Sequence, residues 1–193
     1  MNNQQLKLRA MIITALFAAI IGVLAQMTIP LPVVPITGQT LAIGLAATIL
    51  GSRLGLLSVV LYIIIGAAGV PVFAEMKAGF AVLIGPTGGY LVGFIPAVYI
   101  IGLYLEKTSF NFIQAMVANS LGMIITLLFG TIWLKYAADL SWTAALTGGL
   151  TPFVVVGLIK AGLAAWIGVL IRRRLISARL LVSALPDMSK KSA

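Results

Sequence analysis

The sequence contains no cysteine and no histidine. Without cysteine there is no disulfide framework and no thiolate metal site. Without histidine the usual general base near neutral pH and the commonest metal ligand are both missing. Acids are scarce: Glu75, Glu106, Asp139 and Asp187 are the full set. They are scattered, so no obvious carboxylate pair offers acid–base catalysis. Charged residues of both signs make up 9% of the chain, against about 25% in a soluble domain. There is no G-x-x-x-x-G-K-[ST] run, which excludes nucleotide hydrolysis by a P-loop. The run GPTGGY at 85–90 lacks the Lys-Ser/Thr ending and is not a phosphate loop. No internal repeat is evident.

What fills the chain instead is apolar. Of 193 residues, 61% are hydrophobic, and the mean hydropathy is +1.15. This composition identifies a polytopic membrane protein of one domain, 1–193, built from several helices. The net charge of +9 sits beside the apolar runs. Membrane topology and anionic lipid explain it better than nucleic acid does.

Apolar runs at 10–29, 38–50, 54–74, 84–104, 113–133 and 152–171 predict an all-α fold, six transmembrane helices in one bundle. Within the first run, Val23-Leu24-Ala25 resembles a signal-peptidase site. The run is long, however, and the later spans need a first helix to pack on, so a retained span is expected. Residues 29–37 cannot be helical, because Pro30, Pro32 and Pro35 interrupt them. The second run is then about 20 Å long, short of a ~30 Å hydrocarbon core. The proline segment is therefore expected to dip into the membrane, buried by protein. Residues 51–53 read as a turn, 75–83 as a loop and 134–151 as a polar, glycine-rich connection.

With the N-terminus inside, Lys7, Arg9, Arg53, Lys107, Arg172, Arg173, Arg174, Arg179, Lys190 and Lys191 fall on inner loops and tails. Lys77 and Lys135 fall outside. This positive-inside pattern puts both termini in the cytoplasm.

Lys160 is the basic residue left over, about 12 Å into the sixth span. No Asp or Glu lies in an apolar span to pair with it. Such a lysine either snorkels or bonds backbone carbonyls, or it serves an anion or acceptor in a cavity. Gln26, Thr28, Thr37, Gln39, Thr40, Thr87, Tyr90 and Asn119 come to similar depth. Singly, each reads as helix–helix glue. Together they suggest one polar pocket, with Phe73, Phe80, Phe94 and Trp166 as its apolar lining.

The chain is organised around residues 66–94, rich in glycine and proline between two apolar runs. Irregular backbone at membrane depth survives only inside protein or along a cavity. The runs GVPVFA (69–74) and GPTGGYLVGF (85–94) resemble the signature of the BioY family, the biotin-binding S-components of energy-coupling factor vitamin transporters. The similarity extends to PITGQTL (35–41), GTIWL (130–134) and GLIKA (157–161). One departure is Gly157, where the family commonly has aspartate; the loop around Glu75 and Lys77 is also less glycine-rich.

The resemblance implies biotin uptake rather than catalysis, with no cofactor, in a prokaryotic cell membrane. It implies a membrane coupling protein and two ATP-binding-cassette ATPases as partners. They would supply the engine the chain lacks. It implies that small residues of the first helix, Ala15 and Ala19, meet the coupling protein. Biotin's carboxylate, apolar ring and ureido group suit the pocket. Lys160 can serve the carboxylate or the ureido oxygen. Asn119, Gln39 and Thr37 can bond the ureido group, and backbone N–H groups of Gly85, Gly88 and Gly89 can complete either end. The rival readings are an S-component for another vitamin and a membrane-embedded enzyme, the latter without any visible acid, base or metal site.

Overall fold

The computed structural model describes residues 3–178, 180 and 181. Arg179, Asp187, Lys190 and Lys191, together with the ends of the expected domain, lie outside the described residues. Regular structure among the described residues is helical except for one two-residue ladder. Its helices are α1 (Asn3–Ala25), α2 (Gln39–Leu50), α3 (Ser52–Ala67), α4 (Phe80–Ile84), α5 (Gly88–Lys107), α6 (Phe112–Ala137), α7 (Trp142–Gly149) and α8 (Thr151–Ser177). Long apolar stretches in α1, α5, α6 and the segment ending in α8 are sufficient to cross a membrane. At 12 and 16 residues, α2 and α3 are shorter.

The proline segment folds as a hairpin. Thr28 pairs with Thr37 and Ile29 with Ile36, antiparallel, in strands β1 (Thr28–Ile29) and β2 (Ile36–Thr37). Three prolines deny this stretch a helix, and the ladder satisfies part of its backbone instead.

Several boundaries differ from the sequence reading. The helix expected at 10–29 stops at Ala25, because the residues beyond it enter the hairpin. The span expected to reach 74 stops at Ala67, ahead of Gly69, whose φ of +106° a helix cannot accommodate. The span expected from 84 begins at Gly88, and α4 sits apart before it. The connection at 134–151 is not irregular throughout: it holds α7, started by Ser141, whose hydroxyl accepts from Ala144 N at 3.1 Å. Ser52, read as part of a turn, opens α3. Arg172, read as a tail cation, is 4% exposed and lies inside α8.

α2 is the enclosed helix. Ala42, Ala46, Ala47 and Thr48 have no exposed surface. α8 and α5 pack on it, and α6 packs on both of these. Small side chains permit the approach: Gly168 of α8 faces Thr48, and Gly44 faces Asn119 of α6. The opposite faces carry exposed Leu16, Val23, Val155 and Ile159, as expected of surfaces toward lipid.

Candidate functional site

A cavity of about 100 Å³ lies where the hairpin, the loop after α3 and helices α2, α5, α6 and α8 converge. Helical spacing explains which side chains reach it. From α5 and the residue capping it come Thr87, Tyr90, Leu91 and Phe94; from α6, Asn119, Met123 and Thr126; from α8, Phe153, Gly157 and Lys160. Each set repeats at three- and four-residue steps, one face of a helix.

Lys160 donates from Nζ to the carbonyl oxygen of Thr37 at 2.7 Å and approaches Thr40 Oγ1 at 3.4 Å. It is thus carbonyl-bonded and on the cavity wall at once. Lys77 reaches the same wall but pairs with Glu75 at 2.6 Å near the surface. No Asp or Glu is on that wall. The cavity therefore presents a cation without a carboxylate, among apolar groups, which suits a ligand with an acceptor or anionic end and an apolar body.

Asn119 is buried and donates to Thr48 Oγ1 at 3.0 Å and to Ala115 O at 2.8 Å. It joins α6 to α2 while also facing the cavity. Gln39 Oε1 accepts from the Thr37 hydroxyl at 2.9 Å, and its Nε2 donates to the Tyr62 hydroxyl at 2.5 Å. The Tyr90 hydroxyl donates to Gly149 O at 2.6 Å and so ties α7 to α5.

The loop after α3 closes over the site through Phe73. Its ring sits on Gly66, where a Cβ would collide with it, and meets Tyr62 edge-on at 5.5 Å. Gln26, at the end of α1, clasps this loop. Its Nε2 donates to Phe73 O at 2.9 Å, to Gly22 O at 3.1 Å and to Val72 O at 3.3 Å, while Oε1 accepts from Met76 N at 2.9 Å.

Of the residues singled out from sequence, Thr37, Gln39, Thr40, Phe73, Thr87, Tyr90, Phe94, Asn119 and Lys160 meet at this cavity. Gly85, Gly88 and Gly89 lie off its wall. Gly85 O accepts from Trp133 Nε1 at 3.0 Å, Gly88 abuts the Leu83 backbone, and Gly89 packs against Trp133. Phe80 and Trp166, expected as lining, point away and are 65% and 62% exposed. Gln26 and Thr28 support the loop and hairpin rather than the wall. Ala15 and Ala19 are exposed together on α1. The sequence reading missed Lys77, Met123 and Thr126 on the wall. It also missed Tyr62 behind it. The four-residue and seven-residue steps from Asn119 would have found Met123 and Thr126.

The BioY family model matches residues 1–177. The biotin transporter BioY2 of Lactococcus lactis subsp. cremoris is 42% identical over 172 residues, which cover 89% of this chain and 94% of that protein. The biotin transporter BioY of Thermotoga maritima is also 42% identical, over 168 residues covering 86% and 97%. Among solved structures, the crystal structure of the S-component for biotin from an ECF-type ABC transporter superposes with a TM-score of 0.81 at 30% identity, covering 90% of this chain and 95% of that one.

Proposed function

The chain belongs to the BioY family, and from that premise we propose that it is the biotin-binding S-component of an energy-coupling factor transporter. Likeness to a named biotin transporter, 42% over 89% of the chain, carries this reading. Physical chemistry adds how the ligand is held, since a cation on an apolar wall suits a carboxylated ligand with an apolar body.

The protein is a transporter subunit and not an enzyme. Six helices, α1, α2, α3, α5, α6 and α8, make up its membrane domain within residues 1–193. Both termini face the cytoplasm of a prokaryotic cell, an orientation that the positive-inside pattern supports. The hairpin and the loop after α3 then face outward, and biotin enters between them. Lys160 supplies a charge-assisted donor to one end of biotin. Thr37, Gln39, Thr87, Tyr90 and Asn119 surround the rest, with Phe73 closing over it. Gly85, Gly88 and Gly89 shape the turn into α5, which carries Thr87 and Tyr90 to the cavity wall.

Translocation needs an engine. A membrane coupling protein and two ATP-binding-cassette ATPases supply it, and the exposed Ala15 and Ala19 let the coupling protein approach α1 closely. Membrane lipid covers the remaining apolar faces.

Uptake of labelled biotin tests this reading. A bacterium lacking its own biotin transporter should accumulate biotin when it expresses this chain with a coupling protein and ATPases. Unlabelled biotin should compete; riboflavin and thiamin should not. Absence of uptake from the complete assembly, or equal competition by another vitamin, would sink the proposal.

A further inference from the structure

We propose that Tyr62 is a positioning residue for ligand selection: its hydroxyl holds the Gln39 amide so that an oxygen, and not an NH2 group, is offered to the cavity. The proposal rests on the biotin-binding reading above and names a determinant of its selectivity.

Tyr62 belongs to α3 and is 1% exposed. It is not part of the cavity wall. It stands behind two wall residues from separate segments. Gln39 Nε2 donates to its hydroxyl at 2.5 Å, and Phe73 meets its ring at 88°.

An amide turned over exchanges a donor for an acceptor with almost no change in shape. Its orientation must therefore be set by its partners. Hydroxyls can serve either way, so something has to break the tie. Here the Thr37 hydroxyl oxygen accepts from the backbone N–H of Gln39 at 3.3 Å, which occupies one of its two lone pairs and, by cooperativity, favours donation of its own proton to the amide. Its proton is directed to Gln39 Oε1 at 2.9 Å. The NH2 is left for Tyr62. The bonds run in one direction along the chain, Gln39 N to Thr37 to the Gln39 amide to Tyr62, and bonds so ordered reinforce one another.

The consequence is chemical. A carbonyl oxygen has two lone pairs, and the Thr37 hydroxyl takes one. The other can accept an N–H of the kind carried by a ureido ring. Without the Tyr62 hydroxyl the buried NH2 loses its acceptor and the amide is free to turn. A ligand N–H then faces another donor. A site built to pair a ligand N–H discriminates strongly against an analogue without it.

Calorimetry on the detergent-purified full chain tests this, using biotin and biotins methylated at one or the other ureido nitrogen. Tyr62→Phe keeps the ring and its edge contact with Phe73. It should weaken biotin binding by about tenfold, the scale of one hydrogen bond, and narrow the gap between biotin and a methylated analogue. Gln39→Leu should weaken binding at least as much. Tyr62→Phe should then cost nothing further in the Gln39→Leu background. An equal loss in both backgrounds would show that the Tyr62 hydroxyl acts independently of Gln39 and would overturn the proposal. A wild type that binds biotin and both methylated analogues equally would overturn it without any variant. A wild type that binds no biotin would overturn this inference together with the functional reading, whereas additive losses in a biotin-binding wild type overturn this inference alone.

Discussion

Arg172 donates from its guanidinium to the carbonyl oxygen of Ile49, 123 residues earlier in the chain. The same guanidinium lies 3.6 Å from the centre of the Phe110 ring. Ile49 is at the end of α2, where carbonyls lack helical partners and a cation is favourable. Close by, Glu106 at the end of α5 accepts from Ser52 N and Ser52 Oγ, both at 2.7 Å. Two neighbouring polar contacts thus join α8 to α2 and α5 to α3, with the Glu106 charge facing the Arg172 guanidinium, about 18 Å along α8 from Lys160.

Removing this donor should weaken the fold and spare the site. Arg172→Met keeps an apolar stem and orphans the Ile49 carbonyl, which costs about 1–3 kcal/mol. Thermal unfolding in detergent should shift downward, while biotin affinity changes less than about twofold, well under one hydrogen bond. Arg172→Lys should not restore stability, since an ammonium lacks the planar fork that reaches carbonyl and ring together. An unchanged unfolding temperature in Arg172→Met would mean that the contact contributes nothing.

Sidedness can be read with single cysteines, because the native chain has none. Lys77 and Thr108 are both exposed, in the loop after α3 and at the end of α5. Lys77→Cys should react with an impermeant thiol reagent in intact cells. Thr108→Cys should react only after the membrane is opened. The reverse pattern would invert the proposed orientation and place the cavity mouth in the cytoplasm.

Ala15 and Ala19 offer a separable test of coupling. Both are exposed on α1 and take no part in the cavity. Replacing both by Trp should abolish ATP-driven uptake and leave biotin binding by the isolated subunit intact. Parallel loss of both activities would assign these residues to the fold instead.

The legible features were those that a single residue forces. Proline stops helices, so the hairpin segment could be set apart before its ladder was seen. A lysine in an apolar run without an acid is conspicuous, and Lys160 lies on the cavity wall. Other features depend on partners far away in sequence. Arg172 precedes Arg173 and Arg174, and in sequence the three look like one cytoplasmic cluster. Only Ile49 and Phe110 distinguish the first. α7 ends in Gly148 and Gly149, poor helix formers, and its attachment comes from the Tyr90 hydroxyl on Gly149. Glycines at 85, 88 and 89 read equally well as ligand contacts or as close packing, and the structure sets them against Trp133 and Leu83. Trp166 is legible as a poor candidate from spacing alone, since six residues place it roughly 120° round the helix from Lys160.

Lys160 carries the charge that the ligand is proposed to meet. Its ammonium is held by the Thr37 carbonyl at 2.7 Å on a wall without carboxylates. Lys160→Met keeps the stem and removes the charge and donors. A hydrogen bond to a charged group is worth about 1.5–3 kcal/mol, so biotin should bind roughly one to two decades more weakly. Biotinamide separates the two ends of the ligand. If Lys160 meets the carboxylate, biotinamide should bind the wild type poorly and barely respond to the substitution. If it meets the ureido oxygen, both ligands should lose affinity alike. The decisive measurement is calorimetric titration of the purified wild type and a folded Lys160→Met protein with biotin. Saturable binding that the substitution weakens by that margin is expected; equal affinity in the two proteins, or no binding by the wild type, would contradict a ligand-holding role for Lys160.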